Sequence, residues 1–467
     1  MKRLPVVLMT VMSVSVSCGA DKSDSGSSDG AADGGSDGGD DAGGSGDDAG
    51  GSGDDAGGES GGESGGESGG DSGGDEGTDC SDSTYADLVL CTSWMRNDTE
   101  TAAIIATDGS DNLVDVQSVS VTSADGSDYI SITSGGVPSY TISFTAEMIA
   151  ALEARPNAST DFAGAGPTVS VGDTVDFGAD IGFNSTGCTR GETDEGAGFW
   201  PPGPECPEFI DRTIVLPVEA SEATEDCYTP AGLSGVMVNG VSIFNWTDGA
   251  HYNNEGVWYN IAQKFEAYDF SVCGGHAAQG EYHHHNVAPC LGIQLDDDGS
   301  EHSPIYGWAP DGVPLHGPYV SNGSLAESCW QTRDYSATSE SGCGETGART
   351  CLLVDNTDLS QGTVSAGSSG PTTSETVTSQ SGNTFTAESG FYFQDYYFDA
   401  TCVDGDLTRM DIHNGHSHDD HGYHYHMTTG FPFTYGPTFY GKLHENAAIE
   451  CQSDPYMSMG GGGPPSL

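Results

Sequence analysis

Beyond Cys80 the chain alternates short apolar or β-branched runs with Gly, Asp, Asn and Ser. Leu88-Val89-Leu90, Val119-Ser120-Val121, Tyr129-Ile130-Ser131-Ile132 and Tyr140-Thr141-Ile142-Ser143-Phe144 carry the brief or alternating apolar pattern of strands. Helical spacing surfaces only around Thr145 to Ala154. The pattern predicts a mainly β fold: one disulfide-stapled, sandwich-like domain with long loops over residues 80–467. Strands could be shared across any boundary drawn near residue 150, so one continuous domain with insertions is preferred. Two stretches look inserted, Gly182–Cys206 (Gly, Pro, Thr, Glu) and Asp358–Asn383 (Ser, Thr, Gly, Gln), and neither offers much core. The second separates two histidine-bearing sections, which would meet only when that long loop closes.

The N-terminus carries a different signal. Lys2 and Arg3, an apolar stretch from Leu4 to Val16 and then Ser17-Cys18 read as a secretory signal over residues 1–18, too short to span a bilayer. Val14-Ser15-Val16-Ser17-Cys18 resembles a bacterial lipobox, which would make Cys18 an acylated first residue. The expected location is extracytoplasmic, as a cell-surface or outer-membrane lipoprotein; simple cleavage and secretion is the alternative. Residues 19–79 are almost entirely Gly, Asp, Ser, Ala and Glu, a composition that buries too little apolar surface to order a backbone, so a disordered acidic tether is expected.

Charge removes several partners. With 12 Lys plus Arg against 71 Asp plus Glu, the net charge of −59 repels nucleic acid and anionic headgroups. The membrane is reached only through the lipid anchor at Cys18. Of 13 Cys, assigning Cys18 to the anchor leaves an even number for an oxidising compartment, consistent with a disulfide framework. Cys188 with Cys206 and Cys273 with Cys290 are candidate pairs. There is no Cys-x-x-Cys, so neither a thioredoxin-like centre nor a four-thiolate zinc site is suggested.

The chemistry lies in two tetrads, Tyr282-His283-His284-His285 and Tyr423-His424-Tyr425-His426. On strands, a period of two sends His283 and His285 to one face and His424 and His426 to one face, and a sheet could present all four to a single centre. Structural hydrogen bonds beside a disulfide are the competing reading for the first pair. His276 stands just upstream in Cys273-Gly274-Gly275-His276. Asp311, fixed by Asp-Gly and a following proline, is a candidate ligand, an acceptor for an imidazole N–H, or a plain Asx turn. His316 occupies a strand position that an aliphatic residue would suit, and is a candidate too. His416, His418 and His421 lie in a Gly/Asp-rich loop and read as adventitious, and Tyr425 reads as packing. Imidazole donors favour copper or zinc, with iron possible; calcium would need more oxygen donors. Asp296-Asp297-Asp298-Gly299-Ser300-Glu301 lacks EF-hand ligand alternation and reads as a solvated acidic turn. Zincin spacing is absent, and no nucleophile or general base is identified by spacing.

Residues from about Asn239 to Gly441 resemble the YHYH family of secreted bacterial and environmental proteins. The likeness rests on Asn239-Gly240-Val241, Gly275-His276 with the first tetrad, Tyr306-Gly307, Asp311-Gly312, Gly317-Pro318-Tyr319, and Asn414-Gly415 before the last tetrad, followed by Thr428, Pro432 and Gly441. Departures from the family pattern are His284 for tyrosine, His413 where cysteine is common, and Phe433 where tyrosine is common. His413 adds a ligand or marks a lost disulfide. The family brings no settled activity, so the resemblance implies the unit and not the mechanism.

The expectation is therefore an extracytoplasmic metal-binding protein, with His283, His285, His424 and His426 at the core and His276, His316 and Asp311 in support. One alternative is a metal-dependent hydrolase or oxidoreductase, which needs an open coordination position. The other is a metal-free module for a small-molecule, glycan or peptide ligand, built on Trp308, Tyr306 and Tyr319.

Overall fold

A computed structural model describes residues 85–454 apart from residues 100, 105–110, 125, 156–157, 165, 184–206, 339–340, 419–420 and 453. The expected signal, lipobox and tether, and the Cys188–Cys206 pair, lie outside the described residues. Helix α1 (Tyr85–Cys91) replaces the strand expected at Leu88-Val89-Leu90. Three apolar residues in a row fit either period, and burial of Val89 in the main core decides for the helix. Helix α2 (Ala146–Glu153) forms where expected: the Thr145 side chain accepts from the Met148 N–H as its N-cap, and Met148 and Leu152, four apart, face the core. Further short helices at Ala158–Asp161, Ala262–Phe265 and Pro289–Gln294 have no counterpart in the apolar spacing.

Strands β1 (Val116–Ala124), β2 (Ser127–Ser134) and β3 (Arg212–Pro217) form an antiparallel sheet in that order. Alternation in β2 turns Ile130 and Ile132 inward, where they join Leu216 in the main core. The same core contains Val236, Ile243, Leu315 and Tyr425 from the principal, eight-stranded sheet.

That principal sheet is built twice over. Its first half comprises β4 (Leu233–Met237), β5 (Ser242–Phe244), β6 (Gly275–Ala278) and β7 (Glu281–His284). Its second half comprises β8 (Ile305–Trp308), β9 (Pro314–His316), β10 (Gly415–Ser417) and β11 (Tyr423–His426). The spatial order, β6-β7-β5-β4-β8-β9-β11-β10, is palindromic. β5 runs parallel to β7 and β9 parallel to β11, while the remaining neighbours are antiparallel. The local chemistry repeats as well. In each half an Asx turn joins the first two strands, with the Val241 N–H bonded to Asn239 Oδ1 at 3.3 Å and the Val313 N–H to Asp311 Oδ1 at 3.0 Å. Gly240 and Gly312 follow at φ of 79° and 85°, which glycine alone adopts without strain.

The segment between β9 and β10 carries its own small sheets, and its Tyr335, Leu352 and Tyr392 form a separate core with Trp258 and Phe265 from the segment between β5 and β6. The Asp358–Asn383 stretch, expected to offer little core, forms strands at Thr363–Ser365 and Thr376–Thr378 and buries Val377 there. Its β-branched Thr and Val supply a strand face that bulk composition hides. Disulfides join Cys227–Cys451, Cys273–Cys290, Cys329–Cys402 and Cys343–Cys351. The second of these is the pair expected around the first histidine cluster. Among the described residues no helix is long and apolar enough to cross a membrane.

Candidate metal centres

Both tetrads lie on strands, β7 and β11, and the pairs of histidines converge as a period of two requires. They do not converge on one another. Five strand spacings separate β7 from β11 in the sheet, about 24 Å at ~4.8 Å each. The four imidazoles expected at a single centre are divided between two, because alternation fixes the face of a residue and leaves strand order open.

The first centre gathers His276, His283 and His285, all buried. β6 places His276 directly opposite His283. His283 Nδ1–H donates to the Glu281 carbonyl at 2.8 Å and His285 Nδ1–H to the Asn245 carbonyl at 2.5 Å. Their Nε2 atoms then face each other at 3.0 Å. Glu266, from the turn after Ala262–Phe265, closes the group, its Oε2 lying 3.1 Å from His285 Nε2 and 3.4 Å from His276 Nε2. Burial opposes the charge on Glu266, but the two imidazoles beside it outweigh burial and hold its carboxyl well below the usual range. Phe244 stacks on His283 with ring centroids 3.8 Å apart.

The second centre is larger. His302, His416, His418, His424 and His426 bring their ligand atoms within 4.8 Å of one another. β10 sets His416 opposite His424, as β6 sets His276 opposite His283. His424 Nδ1–H donates to the Gly422 carbonyl at 3.0 Å and His426 Nδ1–H to the Gly317 carbonyl at 2.7 Å. The Ser303 carbonyl accepts from Nδ1 of both His302 and His316, each at 2.8 Å. Nε2 of His424 lies 3.1 Å from that of His416 and 3.4 Å from that of His302. His316 flanks the group, 4.8 Å from His424 between ring centroids, and the exposed His421 stacks on His302 at 4.6 Å. His416 and His418, which their Gly/Asp-rich surroundings suggest are adventitious, thus belong to the centre. His302 escapes sequence reading altogether: it follows an acidic turn and belongs to no repeated pattern, so only the fold brings it in.

These contacts make an electrostatic demand. A carbonyl only accepts, so an imidazole whose Nδ1 faces one carries its proton there and, when neutral, a lone pair on Nε2. His283 and His285 point such lone pairs at each other, and so do His302 and His424. A shared cation would turn this repulsion into attraction. At the second centre protons fill that role poorly. Burial, and then the neighbouring imidazoles, press His424 down to about 2, and burial presses His302 and His416 down to about 4 and His316 to about 3. Neutral imidazoles with convergent Nε2 atoms are the donor set of a transition metal.

Residues 213–441 match the family model described as YHYH protein. Over these residues, a little under half of its length, the chain is similar to the YHYH family. The YHYH region takes in both halves of the principal sheet, from β3 to Gly441, whose N–H donates to Asp311 Oδ2 at 2.8 Å. No curated protein and no solved structure matches the chain.

Several family positions support the centres without entering them. Asp311 is buried and belongs to neither group: Oδ1 makes the Asx turn, and Oδ2 accepts from Tyr425 Oη at 2.6 Å. Tyr425 in turn accepts the Tyr440 N–H at 2.7 Å, so the carboxylate anchors the reverse side of the tetrad strand. The acidic turn before His302 is not merely solvated, because Asp297 Oδ2 accepts from Ser303 Oγ at 2.6 Å and thereby steadies the residue whose carbonyl orients two imidazoles. His413 is no member of either group and bonds Thr438 through Nδ1 at 3.0 Å. It occupies the place that Cys273 holds in the first half, three residues before the strand histidine, and there Cys273 is disulfide-bonded to Cys290. Of the aromatic platform expected from Trp308, Tyr306 and Tyr319, the first two are buried in the main core and Tyr319 is half-buried.

Proposed function

We propose that this chain is an extracytoplasmic metal-binding protein that holds divalent transition-metal ions, copper or zinc with iron as the next choice, on its two imidazole centres. The observation that carries the reading is the facing of Nε2 lone pairs in both centres while the opposite ring nitrogens are bonded to backbone carbonyls. A buried ion would convert that conflict into coordination and tie together elements distant in sequence. Export is supported by the Lys2–Cys18 segment and by the disulfides, which persist in an oxidising compartment.

The first centre, with three imidazoles and Glu266 all well shielded, has the full ligand count of a closed structural site. The second is open on the side of His418 and His421, and this openness favours it as the place for an exchangeable ligand, whether in a metal-dependent hydrolase or oxidoreductase or in metal storage. Calcium is disfavoured by the donor set. The test is metal titration of chelator-treated protein followed by calorimetry. His283→Ala should abolish binding at one centre and His424→Ala at the other, each leaving its counterpart. Loss of neither ion would refute the assignment.

A further inference from the structure

We infer that the second centre is a two-ion site, an inner ion on His416, His424 and His426 and an outer ion on His302, His418 and His421 at the mouth, with His316 alongside. This rests on the metal-binding reading above and deepens it.

The duplicated sheet supplies the argument. His276, His283 and His285 correspond strand for strand to His416, His424 and His426: each half pairs a Gly-His strand with its tetrad, Gly275↔His284 and His276↔His283 in one, Gly415↔Tyr425 and His416↔His424 in the other. The backbone anchors correspond as well. The middle imidazole bonds the carbonyl two residues earlier, of Glu281 or Gly422, and the last bonds the carbonyl just beyond the parallel strand, of Asn245 or Gly317. A triad of imidazoles is thus the unit that both halves share. In the first half one carboxylate, Glu266, completes it to the four ligands of a tetrahedral ion.

The second half adds His302, His316, His418 and His421 to the same triad. One more donor would complete a single ion, and the rest would be surplus. They are not scattered: ring centroids are 5.0 Å apart for His302 and His418, 5.2 Å for His418 and His421, and 4.7 Å for His302 and His316. The added group has its own orienting device in the doubly used Ser303 carbonyl. The position of His316 shows the divergence directly. Strand pairing places His316 opposite His426, where the first half has Phe244 beside His285, stacked on His283 and sealing that centre. Where the first half has an aromatic cover, the second has another donor. His302 touches both sets, with ring centroids 4.9 Å from His426 and 4.6 Å from His421, as expected where ions lie about 3.5–4 Å apart.

The probe is Cu(II), added to the full exported chain after chelator treatment, with bound copper counted by elemental analysis and its magnetism read by electron paramagnetic resonance. The expected result is two ions in the second centre and one in the first, with the pair magnetically coupled so that spin integration falls short of total copper. The double variant His302→Gln/His421→Gln should lose one ion and release an uncoupled signal from the inner ion. His276→Gln should lose one ion and leave the coupled signal unchanged. One ion per centre, with spins fully accounted for in the wild type, would overturn the two-ion site while leaving metal binding intact. No bound copper would overturn both.

Discussion

His424 and His284 illustrate how a single position on a tetrad decides its role. His424 has Nδ1 tied to Gly422 and Nε2 turned to two other imidazoles, whereas His284 lies on the alternate face of β7 beside Tyr282. His424→Ala should therefore lower metal content and the melting temperature together, with a stability loss of about 4 kcal/mol when free ion is held at ~1,000 times its Kd. His284→Ala should cost stability by cavity formation and leave metal content unchanged. Elemental analysis paired with calorimetry separates the two effects. Asp115, a member of neither centre, offers a pH test. Burial raises its carboxyl from 3.8 to about 6, despite the bond that Oδ1 accepts from the Ser139 N–H. A folded pKa above the unfolded one means that the native state binds the proton more tightly, so stability present at low pH is lost as pH rises from about 4 to 6. Asp115→Asn keeps an acceptor and tolerates the positive φ of 59°. Its denaturation midpoint should match the wild type near pH 4 and exceed it above pH 6.

Among the elements, the Gly-His strands leave no room at their glycines. A Cβ on Gly275 would sit 2.6 Å from Tyr282 Oη and 2.8 Å from the His283 carbonyl; on Gly415 it would sit 2.5 Å from Tyr423 Oη and 2.7 Å from the His424 carbonyl. The tyrosine of each tetrad therefore lies over the glycine of the paired strand, a second function for the motif beside alternation. Gly275→Ala and Gly415→Ala should each destabilise by about 1–3 kcal/mol and disturb only the neighbouring centre, measurable as a denaturant midpoint alongside metal content. Much at this level was legible in sequence. The β pattern, helix α2 after Thr145, the Cys273–Cys290 staple and the shared face of each histidine pair follow from local spacing. What sequence could not supply was strand order, which separates the tetrads, and the approach of His302 to His424, which depends on β8 and β9 pairing before β11 joins them. The loop reading of His416 failed for the same reason: Gly415–Ser417 is a strand only because β11 is there to pair with it, whereas His418 stays in the loop.

At the scale of the molecule, duplication and charge act together. Two copies of one histidine-bearing unit flank the centre of a single sheet, and the full chain bears 71 acidic against 12 basic residues. Such a surface concentrates cations near the open second centre, so metal association there should slow several-fold as ionic strength rises from about 0.01 to 0.15 M and the screening length shrinks from ~30 to ~8 Å; stopped-flow measurement would read this. The central claim is that metal resides on these imidazoles, and the most direct measurement is elemental analysis of the chain folded in an oxidising compartment and purified without chelator or nickel. The account predicts copper, zinc or iron in at least stoichiometric amount, lost when His283 and His424 are replaced together. Folded protein that carries no metal, and takes up none on reconstitution, would contradict it.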